Sequence, residues 1–168
     1  MSKTSTELVR HALSGPTMGT RWSALFYSAP GFDTAPIHAA LEAVVENVDA
    51  QMSTWRPASA LMRLNSAPVG EWTAVPTHLL TVLRVGLRIA HLSGGAFDIG
   101  MGDAVTAWGF GPEAASTEQI RAAMTVPRLA THHVLDIEEG KVRKRAQISL
   151  DLDWIAMGYG VDQLAETL

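Results

Sequence analysis

The hydrophobic pattern changes period several times along the chain. In TRWSALFYS (20–28) Trp22, Ala24 and Phe26 recur at every second position, the period of a strand with one buried face. APGFD (29–33) reads as a turn. In TAPIHAALEAVVENVDAQMS (34–53), Ile37, Leu41, Val44, Val45, Val48 and Met52 fall on one face at the 3.6-residue period, and Pro36 suits a first helical turn. PTHLLTVLRVGLRIAHLSGG (76–95) repeats the pattern with Leu79, Leu80, Leu83, Leu87 and Ala90, and Gly94 and Gly95 end it. Between these helices, residues 54–72 read as loop, with a short helix over 59–64 that starts at Ser59. STEQIRAAM (116–124) has a Ser/Thr start followed by Glu and Gln, a short-helix signature. Residues 132–152 predict two or three strands with a turn near Glu139 and Gly140, and YGVDQLAETL (159–168) opens a last helix.

Residues 1–16 are polar, show no clear period, and read as a partly ordered lead-in, with one domain over 17–168. Strands and helices do not alternate regularly, so the class is α+β rather than a doubly wound parallel sheet. The length of 168 residues suits a single domain. Net charge is −4, with the signs interspersed, and lacks the basic face that nucleic acid requires. The basic KVRKR (141–145) follows the acidic DIEEG, and the two read as a charged hairpin. There is no cysteine, which excludes disulfides, thiolate metal sites and a cysteine nucleophile. No apolar run approaches the ~20 residues of a membrane span, and the N-terminus has no apolar signal region. A cytoplasmic location is the resulting expectation.

The chemistry-bearing candidates are scattered. GGAFDIGMGDAVTAWGFG (94–111) sets Asp98 in a glycine-rich run, where Gly94, Gly95, Gly100 and Gly102 permit positive φ and close approach of a ligand to the backbone. Asp98 suits either bonds from ribose hydroxyls or a cap on the short helix that follows. The run is neither GxGxxG nor a P-loop. Met18, in PTMGTRW (16–22), suits packing on a flat ring or plain core. Trp55 suits stacking on a ligand ring or a lid over the core. Asp151 and Asp153, two apart, point the same way if they lie on a strand, and their oxygens suit Mg²⁺ or a solvated face. The six histidines have no metal-ligand spacing. In a strand His132 and His133 would face opposite ways.

The order of these segments carries more than any one of them. MGT (18–20) before a strand, STW (53–55) with SALMRLN (59–65), the block from Ser93 to Gly111, and ISLDLDWIAMGYGVDQL (148–164) together resemble the ApbE family of FAD:protein FMN transferases, from Thr17 to the last residue. The resemblance implies the N-terminal portion of an ApbE-like mixed α/β-layer domain. It implies that FAD is bound by Met18, Trp55, Ala96, Phe97, Asp98, Asp151 and Met157, that Asp151 acts at the reacting centre, and that the Trp154 backbone oxygen meets Mg²⁺. Family members split FAD at its pyrophosphate, pass FMN to a threonine hydroxyl of a target flavoprotein and release AMP. Met157 departs from the family, where that position is commonly Lys. The chain also ends before the family's later blocks, which carry further metal-ligating Asp and Thr residues. The resemblance therefore leaves two alternatives to transfer: a flavin-binding module without turnover, or a structural remnant. It also implies exposed apolar surface, with self-association or a complementing C-terminal chain as its consequence.

Overall fold

The computed structural model describes residues 7–110, 114–125 and 128–168. The chain opens with an antiparallel hairpin, β1 (Val9–Thr17) and β2 (Thr20–Ser28), paired along their whole length from Val9↔Ser28 to Thr17↔Thr20. The segment expected as a partly ordered lead-in is thus a strand from Val9 on. Its own residues carry little apolar signal, because the partner strand supplies the ladder that orders it. Gly15 leaves room for the indole of Trp22 opposite: a Cβ there would lie 2.6 Å from Trp22 Nε1. Residues 1–6 of the lead-in, and Gly111 of the glycine-rich block, lie outside the described residues. Met18 and Gly19 form the two-residue turn, with φ of 39° and 73°. Positive φ at both positions matches the right-handed twist of a tight hairpin, and for a methionine it is a strained conformation.

Helix α1 (Ala35–Met52) buries Leu41, Val45, Val48 and Met52, the face the periodicity marks. It spans two apolar clusters. Leu41 and Val45 pack with Trp22, Ala24 and Leu164 under the hairpin. Val48 and Met52 join the main core, with residues of α2 (Ala60–Ser66), α3 (Thr77–Leu92) and α7 (Asp153–Thr167). Ser59 caps α2 by accepting the Met62 N–H at 3.1 Å, as its place before the helix predicts. Helix α3 buries Leu79, Leu80, Val82, Leu83, Gly86 and Ala90, and ends as Gly95 N–H bonds the Ala90 carbonyl at 2.9 Å.

A second sheet has the order β3 (Trp72–Ala74), β5 (Lys141–Lys144), β4 (Leu135–Glu138), all antiparallel. The region read as loop therefore ends in a three-residue strand, too short to show a period. The charged hairpin forms as expected: Arg143 and Arg145 both reach Asp136, and Lys141 reaches Glu138. Lys141 and Arg143 also lie over the Trp72 ring, 4.8 and 4.6 Å from its centroid.

The strand reading of 132–152 holds only for its middle. Residues Thr131–Val134 form a single helical turn, α6, so His132 and His133 do not face apart; their ring centroids are 4.2 Å from each other. After β5 the chain bends at 145–146 and runs to Leu152 outside any sheet, and Asp153 is the first residue of α7. The last helix begins six residues earlier than its sequence signal, because Gly158 and Gly160 mask the pattern. Two short helices, α4 (Gly102–Ala107) and α5 (Thr117–Thr125), lie between α3 and α6. The result is the α+β class, with small antiparallel sheets beside helices.

Candidate functional site

The extended segment 149–151 organises the site. Gly102 N–H donates to the Ser149 carbonyl, and Asp151 N–H donates to the Ile99 carbonyl, both at 2.9 Å. The glycine-rich run thus lies along the segment as an improvised strand. Gly102 is glycine for space: a Cβ would sit 2.7 Å from Ser149 Oγ and 3.0 Å from its carbonyl oxygen. Gly100 is crowded in the same way by the Thr131 side chain. Neither has positive φ, so the expectation of special backbone conformation there gives way to close packing; Gly94 and Gly95 do have it, with φ of 60° and 84°.

Asp98 does not cap α4, whose N-cap is Met101 with no side-chain bond. Its Oδ1 accepts the Gly100 N–H at 2.8 Å and the Thr131 hydroxyl, and its Oδ2 accepts the Thr131 N–H at 2.9 Å. It therefore ties the glycine-rich run to α6. Three of a carboxylate's roughly four acceptor positions are taken, which leaves one on Oδ2. Thr131 is fully buried, and no sequence motif marks it. Beside Asp98, Phe97 packs partly against the main core and Ala96 is exposed.

At the other end of the segment two carboxyls meet at the start of α7. Asp151 Oδ1 accepts the Asp153 N–H at 3.1 Å. Among the described residues neither forms an ion pair with Lys, Arg or His. Burial pushes the Asp151 carboxyl up. Burial, then the charge of Asp151, push Asp153 up to about 6, with the Thr54 hydroxyl acting in the opposite direction. Asp153 was paired with Asp151 in sequence, but the side chains share a helix start rather than a strand face.

These carboxyls line a cleft of about 500 Å³ with Met101, Val105, Trp108, Phe110, Trp154 and Met157. Its aromatic walls are open to solvent: Trp108, Phe110 and Trp154 are 55, 70 and 85% exposed. Met157 also lines a narrower apolar cleft of about 100 Å³ beside Met18, Val45, Val48 and Gly160. Met157 is thus common to the two clefts, with Met18 on one and Asp151 and Trp154 on the other. Ala96, Phe97 and Asp98 lie outside both clefts and connect to them through the backbone bonds to 149–151. Trp55 stands at the exposed turn after α1, next to Thr54 and hence near Asp153. Trp108 and Phe110 join the cleft although sequence reading assigned them no role; their place in the WGFG block was the available signal.

The donor set suits a hard cation in part. Two poorly compensated carboxyls are what Mg²⁺ takes when phosphate oxygens and water complete its shell. Among the described residues no group of three or more His, Cys, Asp or Glu could hold a metal alone. The same residues include no helix long and apolar enough to cross a membrane.

The sequence matches the ApbE family over residues 18–168. It is 37% identical to the FAD:protein FMN transferase of Vibrio cholerae serotype O1, over 93% of this chain and 48% of the relative. It is 34% identical to that of Haemophilus influenzae, over 94% of this chain and 48% of the relative. The fold superposes on the flavin transferase ApbE from Vibrio cholerae with a TM-score of 0.85 at 35% identity, covering 95% of this chain and 53% of the other. The flavinyl transferase ApbE of Pseudomonas stutzeri, in its apo form, gives 0.81 at 30% identity over 95% and 52%. The chain spans about half the length of the curated relatives it matches. With a family match over almost the whole sequence and this fold beneath it, the chain belongs to the ApbE family.

Proposed function

We propose that this chain supplies the flavin-nucleotide half of an FAD:protein FMN transferase site. The carrying observation is the convergence of Asp151, Asp153, Trp154 and Met157 on one aromatic-walled cleft, with Met18 on the adjoining surface. The relatives named FAD:protein FMN transferase support the substrate. The cleft supports the placement: flat rings for an isoalloxazine or adenine, and carboxyls where a pyrophosphate and its cation would lie.

Each residue has a distinct task in this reading. Met18 and Trp55 contact the flat ring; Met18, at the hairpin tip, is partly buried against the main core and lines the narrower cleft. Ala96 and Phe97 shape the loop, and Asp98 offers its remaining Oδ2 position to a ribose hydroxyl. Met157 gives the ligand an apolar contact without charge. Asp151 accepts a hydrogen bond from the incoming threonine hydroxyl of a target flavoprotein and orients it at the reacting centre. Asp151 and Asp153, with the Trp154 carbonyl in the first turn of α7, would hold Mg²⁺. When bound, that ion neutralises charge on the pyrophosphate as FMN is transferred and AMP leaves.

The test is to mix the 168-residue chain with FAD and Mg²⁺ and follow tryptophan emission together with AMP and FMN release. Quenching with product release supports the transferase reading. Quenching without product marks a flavin-binding module that does not turn over. Unchanged emission with no product overturns the proposal.

A further inference from the structure

We infer that Asn65 is a positioning residue for Asp151, an inference that rests on the reading of the cleft above. Leu150, the residue before Asp151, is almost fully buried. Both of its backbone groups are taken by one side chain 85 residues away: Asn65 Oδ1 accepts the Leu150 N–H at 2.8 Å, and Asn65 Nδ2 donates to the Leu150 carbonyl at 2.9 Å. In an extended chain the backbone groups of successive residues point to opposite sides. The glycine-rich run takes the Ser149 carbonyl and the Asp151 N–H on one side, and Asn65 takes both groups of Leu150 on the other.

The carboxamide is suited to this task because it presents one acceptor and a donor side by side, like a peptide group. Asp has no donor for the carbonyl, and Ala has neither group. Asn65 therefore acts as a one-residue surrogate strand. It fixes the rotation of the segment about its own axis, and with it the direction of the Asp151 side chain one residue on. Its own place is held from behind: it sits in the last turn of α2, and the buried Lys144 donates from Nζ to the Asn65 carbonyl at 2.5 Å. No atom of Asn65 lines either cleft, so its influence on the ligand passes through Asp151.

A double-mutant cycle on the full 168-residue chain separates positioning from general support. The variants are Asn65→Ala, Asp151→Asn and the two combined, and the readout is the FAD dissociation constant in Mg²⁺ from tryptophan emission. Asn65→Ala is expected to weaken FAD binding about tenfold when Asp151 is present, corresponding to about one lost hydrogen bond to a charged or aimed group. In the Asp151→Asn background the same change is expected to leave binding unaltered. Equal losses in both backgrounds, or no loss in either, overturn the inference. Should Asn65→Ala fail to fold, Asn65→Ser, neutral and smaller, takes its place. A second measurement does not depend on FAD: the side-chain carboxyl carbon resonance of Asp151, read by NMR at one pH. It is expected to move in Asn65→Ala and Asn65→Ser, and an unmoved resonance overturns the positioning role. If the parent chain binds no FAD, the proposed function falls alone, and this resonance still decides whether Asn65 aims Asp151.

Discussion

Asp98 and the Asp151–Asp153 pair lie at two ends of the same backbone bonding system, yet their surroundings are opposite. Asp98 is supplied with donors: two N–H groups and a hydroxyl converge on it. Asp151 and Asp153 have one backbone N–H between them and the Thr54 hydroxyl near Asp153, no basic partner among the described residues, and a burial that raises both. The difference teaches what the fold has done with each carboxylate. Donors around Asp98 occupy its oxygens and lock the glycine-rich run to α6. The pair near α7 is left undercompensated, and a cation or a hydrogen-bonding ligand would relieve it. Carboxylates that look alike in sequence thus differ in the number of donors aimed at them, a difference that only the fold creates.

The largest effect expected from this contrast is on stability. Asp98→Ala strands the Gly100 and Thr131 N–H groups and the Thr131 hydroxyl, and should cost about 3 kcal/mol. Urea unfolding measures it. Asp151→Ala should cost less than half as much, and the reverse order would break the contrast. Asp98→Asn, which keeps an acceptor oxygen, should fall between. Gly100→Ala comes next, because the new methyl meets the Thr131 side chain in a space that Asp98 holds closed. About 2 kcal/mol is expected from such overpacking, again by urea unfolding.

Much of the scaffold behind this contrast was legible from periodicity. The faces of α1 and α3, the cap at Ser59 and the charged hairpin follow from local spacing alone. The strand β1 was not legible, since its order comes from β2 and from the Trp22 ring over Gly15. Nor was the segment 149–151, which has a strand's composition but is bonded by a glycine loop and one asparagine side chain rather than by a sheet. The expectations at Asp98, Asp151 and Met18 came from motif order, whereas Thr131 and Asn65 make contacts 33 and 85 residues apart that no local pattern encodes. Features that depend on a neighbour in sequence could be read; those that depend on a neighbour in space could not.

A smaller effect has a sign that depends on pH. Asp153 has a folded value of about 6, above its unfolded value near 3.8. The folded state therefore binds the proton more tightly, and the stabilisation this gives is present below about pH 4 and lost as pH rises through 6. Asp153→Asn removes the titration. It should leave stability unchanged near pH 4 and raise it by about 1 kcal/mol at pH 7.5, after allowance for solvent screening of a partly exposed group. Thermal unfolding at the two pH values measures the difference. A variant less stable than the parent at pH 7.5 would show that Asp153, like Asp98, is already compensated.

The smallest stability effect, and the sharpest functional one, is expected at Trp55. Its ring is 55% exposed, and its backbone N–H bonds the Ser53 hydroxyl whatever side chain it carries. Trp55→Ala should therefore change unfolding free energy by no more than about 0.5 kcal/mol. If the ring stacks on flavin, the same substitution should weaken FAD binding by about tenfold, the scale of one aromatic contact. Because the substitution removes one of the emitting tryptophans, binding is followed by calorimetry rather than emission. Trp55→Phe should recover most of the affinity, since a flat face is what the contact requires. Loss of stability without loss of binding would make Trp55 a cover for the α1 terminus and move the ring contact to the exposed aromatic wall of Trp108, Phe110 and Trp154.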